Sequence, residues 1–190
     1  MPSFASIEAG VLRGPFAALA LVACALALAA GCGSDDPKTF DEDGFAVTFE
    51  YPGNFERTTD VRTQQDEGQA EESVALAASK DNAIFVQRYG LNRTVTPDLA
   101  DAVKRELDGV LSRLAGTEVS GRRIDVGGAI AFRYEIDRLQ EPEDGRSTIV
   151  AVFDGDKEYF INCQSVPDGR EELEEACDRA IETLAVKGAS

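Results

Sequence analysis

The sequence predicts an α+β fold, an antiparallel β-sheet with helices packed on it, and three observations carry that prediction. Segments in which apolar and polar residues alternate recur between residues 44 and 165. Several of them are joined by short turn signals, which lets sequential strands pair antiparallel. Two further segments, opening at Thr96 and Asp168, carry apolar residues at helical spacing instead.

The first strand is GFAVTFEYP, residues 44–52. Phe45, Val47, Phe49 and Tyr51 fall on one side, and Ala46, Thr48 and Glu50 on the other, as a half-buried strand requires. Pro52-Gly53-Asn54 stops it. The charged, glutamine-rich residues 56–72 read as an irregular loop with room for a short strand. Residues 73–79 and 82–89 are apolar-rich runs around Lys80-Asp81-Asn82, a hairpin pattern.

Thr96-Pro97-Asp98 opens the first helix, with a hydroxyl at the N-cap, proline at the first helical position and an acid near the positive end of the dipole. Its apolar stripe is Leu99, Val103, Leu107, Val110 and Leu114, and Gly116 closes it. Four strands follow, over residues 118–126, 130–136, 148–153 and 157–165. The last two flank Asp154-Gly155, the strongest short hairpin signal in the chain. The second helix runs over residues 168–185 with the stripe Leu173, Cys177, Ala180, Ile181 and Leu184. Asp168 and Glu171 stand at capping-box spacing before it.

Ahead of the domain the composition changes abruptly. Residues 16–30 contain no polar side chain except the Cys24 thiol, and Arg13 precedes them. A helix needs about 20 apolar residues to cross a bilayer core, so this shorter run reads as the core of a secretory signal, residues 1–31. The border itself, Leu28-Ala29-Ala30-Gly31-Cys32, resembles the lipobox of bacterial lipoproteins. That resemblance implies a diacylglyceryl group on Cys32, cleavage before it, and a domain held at the extracytoplasmic face of the cell membrane. Leu21-Val22-Ala23-Cys24 is a competing match, but it would leave the apolar ALALAA exposed on the processed chain. Residues 32–43 then form the lipidated cysteine and an acidic tether, able to reach roughly 35–40 Å when extended. Residues 44–190 form a single α+β domain.

The remaining cysteines support the same address. With Cys24 lost and Cys32 lipidated, Cys163 and Cys177 are left, and two thiols in an oxidising compartment can pair. Tyr159, Ile161 and Cys163 share a strand face, while Cys177 lies on the apolar stripe of the helix that follows. A Cys163–Cys177 disulfide is therefore expected.

Charge and missing residue types bound the function. The net charge is −16, and Glu8 and Arg13 cancel within the leader, so the whole excess sits on the exported chain. Such a surface repels nucleic acid and anionic headgroups. There is no histidine, which removes Ser–His and Cys–His pairs and imidazole-based zinc sites. No phosphate loop, dinucleotide fingerprint or nucleophile elbow occurs, and no cofactor is implied. Carboxylates remain, in residues 41–43, 141–144 and 154–158. All three groups read as solvated loop or turn acids, the last only loosely like a calcium loop. Arg122-Arg123 reads as charge on an edge strand.

The order of elements, with GFAVTFEYPGNF at its start and YFINCQS and ACDRAIETL at its end, resembles the PsbP-like α/β/α sandwich, which LpqN-type lipoproteins share. The resemblance spans residues 44–184 and implies a partner-binding rather than catalytic role. It carries over no catalytic residue. The function expected is a non-catalytic binding module in the cell envelope, anchored to the membrane by lipid, with an envelope protein or small ligand as partner. The alternative is an envelope hydrolase working through carboxylates alone.

Overall fold

A computed structural model describes residues 36–59, 70–137 and 144–188. The leader, Cys24, Cys32, most of the loop before residue 72, and Glu141 to Glu143 lie outside these described residues. Strands β1 (Lys38–Phe40), β2 (Val47–Tyr51), β3 (Glu56–Thr58), β4 (Glu72–Ala77) and β5 (Ala83–Gly90) precede helix α1 (Ala100–Ala115). Strands β6 (Arg122–Val126), β7 (Ala129–Asp137), β8 (Arg146–Asp154) and β9 (Lys157–Ser165) follow. Helix α2 (Arg170–Glu182) and the short β10 (Ala185–Val186) close the domain.

Seven strands form one antiparallel sheet in the order β3-β4-β5-β9-β8-β7-β6. The α+β expectation holds, and Arg122-Arg123 does fall on an edge strand. A second, three-stranded sheet runs β1-β2-β10. It packs with α2 over one face of the large sheet, burying Phe40, Phe45, Phe49 and Phe55 together with Val74, Leu76, Ile84, Val86, Val150, Val152 and Ile161. Phe40 stacks on Phe49 at 4.8 Å, and Phe45 meets Phe40 edge-on at 5.4 Å. These aromatic pairs seat β2 on the core.

Three sequence expectations need correction. The acidic tether does not run free to residue 43, because Lys38–Phe40 pairs with β2. Phe40, 1 % exposed, holds it there. Thr96 does not cap α1 with its side chain, since its hydroxyl donates to Asp98 Oδ1 at 2.7 Å and residues 97–99 form a 3-10 turn first. Asp168 does not cap α2 either. Gly169, at φ +80°, occupies that position, and the Asp168 carbonyl accepts from Asn82 Nδ2 at 2.6 Å. The buried Asn82 also accepts from the Val166 N–H at 2.9 Å, so one side chain ties the β4–β5 hairpin to the start of α2. A Cβ on Gly169 would stand 2.9 Å from Asn82 Nδ2, a second reason for glycine there.

The Cys163–Cys177 disulfide is present, with Cα atoms 6.0 Å apart, both residues buried between β9 and α2.

Candidate functional site

The two faces of the large sheet are covered unequally, and the candidate site follows from that. Seven strands at about 4.8 Å spacing make a sheet roughly 29 Å wide, whereas one helix is only about 10–12 Å across. On the second face α1 supplies the helical cover, packed against β7. It buries Ala100, Val103 and Leu111 against Ile130, Phe132, Ile149, Ala151 and Phe153.

Polar contacts hold α1 from the β6 side. Lys104 Nζ donates to Asp108 Oδ2 at 2.7 Å and to Ser120 Oγ at 3.1 Å. The Gly121 N–H donates to Asp108 Oδ1 at 3.1 Å, and the Val119 N–H to Ser112 Oγ at 2.8 Å. The Tyr134 ring fills the place that a Cβ on Gly121 would take. Burial opposes the Asp108 charge, but Lys104 and the Gly121 N–H outweigh it and hold the carboxyl below its usual range. The buried Tyr134 hydroxyl lies near Asp108 without a hydrogen bond of ordinary geometry, and burial followed by the Asp108 charge pushes its pKa up.

Tied along this edge, α1 turns its other flank to the β5–β9 side, and a cleft of about 860 Å³ lies there. Its helical wall is Glu106, Leu107, Val110 and Leu114, and its floor is Tyr89, Phe153, Glu158 and Phe160. Val110 and Leu114 are 36 % and 48 % exposed, so part of the stripe the sequence assigns to the core lines the cleft instead. Tyr89 meets Phe160 edge-on at 6.4 Å, and Phe153 meets Phe132 at 6.3 Å. At one end the loop after β5 is pinned by backbone bonds, Leu91 N–H to the Asp156 carbonyl and Val95 N–H to the Gly155 carbonyl, both 2.8 Å. Gly155, at φ +61°, makes that two-residue turn possible.

Glu158 is the residue that sequence reasoning missed. As part of an Asp-Gly-Asp-Lys-Glu run it reads as a turn acid, yet it is the second residue of β9. It pairs across the ladder with Tyr89 on β5 and Phe153 on β8, both floor residues. Lys157 and Tyr159 point to the opposite face, where Lys157 Nζ reaches Glu71 at 3.1 Å. The sequence signal was thin: Glu158 shares its face with Phe160, but that face continues through the polar Asn162 and Gln164, so the pattern of β9 alone does not mark it as a floor residue. Burial, then the Glu106 carboxylate, raises the Glu158 pKa to about 7. Among the described residues, neither Glu158 nor Glu106 has a cation within salt-bridge distance.

The other acids fall elsewhere. Asp41 pairs with Lys187 at 2.5 Å and Glu42 with Arg57 at 2.6 Å, on the side of the small sheet. Among the described residues no group of three acids or thiols is placed to hold a metal ion. A crevice of about 10 Å³ beside the disulfide, lined by Arg146, Thr148 and Glu174, has room for at most about one water.

Comparison with solved structures is consistent with this architecture. The cyanobacterial PsbP (CyanoP) of Synechocystis superposes with a TM-score of 0.53 and 12 % identity over 85 % of this chain and 98 % of that one. LpqN, a Mycobacterium tuberculosis protein involved in cell envelope biogenesis, superposes at 0.51 and 12 % identity over 81 % of this chain and 87 % of that one. The fold is PsbP-like. A Bacteroides thetaiotaomicron protein matches at 0.50 and 12 % identity over 79 % of this chain, which spans only 48 % of that longer protein. No family model matches the chain, and no curated protein matches it. At such identities the likeness speaks for the fold alone.

Proposed function

We propose that this chain is a cell-envelope lipoprotein, anchored to the membrane through Cys32, whose domain binds an elongated apolar ligand between α1 and the β5–β9 floor without transforming it. The cleft carries this reading. Leu114 keeps 48 % of its surface exposed in a cleft that Val110, Leu107 and three aromatic rings also line, at a volume in the range of small-molecule sites. Apolar side chains aligned along a concavity gain most by covering an apolar guest. The leader, the lipobox-like border at Cys32 and the acidic, histidine-free composition support the location and the absence of the commoner catalytic groups. The share of fold with LpqN agrees with an envelope setting.

A neutral solvatochromic dye titrated onto the full chain in vesicles tests it. Dye emission should shift blue on binding, and Leu107→Asp should abolish the shift while the far-ultraviolet circular dichroism stays unchanged. Equal signals from the two proteins would reject the reading.

A second reading has one observation behind it. A carboxyl with a pKa of about 7 beside another acid is suited to proton transfer at neutral pH, as a carboxylate hydrolase would need. It is the weaker reading because Glu106 sits exposed on the helix wall, with no ion pair among the described residues to fix its position. Turnover of an envelope glycan or ester that disappears in Glu158→Gln would favour it over simple binding.

A further inference from the structure

We infer that the cleft selects apolar ligands that carry a protonated amine, the ammonium group sitting against Glu158 and Glu106 and the apolar body lying along Leu107, Val110 and Leu114. The inference rests on the binding reading above and adds the headgroup chemistry.

Among the described residues, three ionisable side chains line the cleft besides Tyr89: Glu106 on α1, Glu158 on β9 and Arg93 in the loop after β5. No charged residue lies within the floor apart from Glu158, since its ladder partners are Tyr89 and Phe153 and the next residue on that face is Phe160. Arg93 in the loop and Glu106 on the helix are both exposed, where water and salt screen their opposite charges alike. Glu158 is set in the sheet between aromatic rings, where a charge is screened far less. The field felt by a guest on the floor is therefore set first by Glu158.

Chemistry then separates the headgroups. A carboxylate or phosphate placed on the floor would face Glu158 and would have to be desolvated beside it. A hydroxyl can donate one neutral hydrogen bond. An ammonium offers three donors and a charge, which the two unpaired carboxylates can share. Burial, and after it the Glu106 charge, places the Glu158 pKa at about 7, so both of its protonation states are within reach near neutral pH. A bound ammonium favours the ionised carboxylate, so binding near neutral pH releases a proton from Glu158. Affinity for an amine should accordingly rise as pH climbs from about 5 to about 8 and then level off, until the amine itself begins to deprotonate.

The test uses octylamine, octanol and octanoate, titrated by calorimetry into the full chain in phosphatidylcholine vesicles, with protein-free vesicles as the blank. At pH 8 octylamine should bind roughly tenfold more tightly than octanol, the ratio expected when a charge-assisted bond replaces a neutral one, and octanoate should bind weakest. Glu158→Gln should bring the octylamine-to-octanol affinity ratio to about one, and Glu106→Gln should remove part of the preference. Octylamine binding at pH 6.5 should release protons, seen as a heat that varies with the buffer's ionisation enthalpy. If octanol binds and octanoate equals or exceeds octylamine, Arg93 leads and the inference is overturned while the binding reading stands. If octanol and octylamine bind equally at every pH, the inference fails in the same way. If none of the three binds above the blank, the binding reading falls and takes this inference with it.

Discussion

Glu158→Gln should make the protein more stable at pH 8 and leave it nearly unchanged at pH 4. The wild-type carboxyl is raised from 4.5 to about 7 in the folded state, so the native protein holds a proton there that the unfolded chain has already lost. Stability from the protonated form is fully present below about 4.5 and is lost as pH rises through about 7. A displacement of that size is worth about 3 kcal/mol at 1.36 kcal/mol per pKa unit, and water reaching a partly exposed side chain lowers it to about 1–3 kcal/mol. The amide of the variant keeps the shape of the carboxyl and cannot ionise, so the variant escapes this loss. For a domain of this size the gain corresponds to a rise in Tm of roughly 2–12 °C at pH 8. Thermal unfolding of both proteins by circular dichroism, in half-unit steps from pH 4 to 8.5, measures the difference, and charges common to both cancel. The gap should open between about 4.5 and 7 and stay constant above. A gap independent of pH would mean that Glu158 is solvated, and it would remove the electrostatic basis of the cleft.

Three further outcomes follow from the packing and the leader. Replacing Cys163 and Cys177 by alanine should lower unfolding free energy by roughly 3 kcal/mol, the value for a loop of this length, as read from urea midpoints. Leu111→Ala, at 2 % exposure, should cost about 2–5 kcal/mol, whereas Leu114→Ala, at 48 %, should cost under about 1 kcal/mol, so equal losses would place Leu114 in the core after all. Membrane-extracted protein should begin at Cys32 with a mass above that of its chain by the acyl groups, and Cys32→Ala should remove that increment. An unmodified Cys32 on a processed, soluble chain would refute the anchor.

The α1 stripe shows where legibility ended. Leu99, Val103, Leu107, Val110 and Leu114 have the spacing of a buried face, and periodicity cannot say how much neighbouring surface exists to bury it. The structure keeps Val103 and the flanking Leu111 in the core and turns Val110 and Leu114 toward the cleft. The rotation is decided by Asp108 and Ser112, which bond to residues 119–121 and draw the helix toward β6. Glu158 misleads because its local run resembles a turn, and only the β5 and β8 partners on either side reveal it as a floor residue. The β1 strand escapes sequence reasoning for a related reason: three residues in an acidic segment have no period to detect, and Phe40 acquires its meaning from Phe49 and Phe45.

What the sequence determined by itself is local and compositional. Alternation set the strands, Asp-Gly and Lys-Asp-Asn set two hairpins, and helical spacing set two helices, because each depends on a few adjacent residues. The Cys163–Cys177 pairing was also legible, since the strand face and the helix stripe are joined by a short turn. The sequence also bounded function, through the lack of histidine and the charge of −16. The tertiary structure alone decided the strand order, the small β1-β2-β10 sheet and the cleft. These arise from competition for surface among segments far apart in the chain. One helix is too narrow for the face it covers, the side on which it is tied leaves the cleft on the other, and a strand acid becomes a shielded carboxyl because of what its neighbours are.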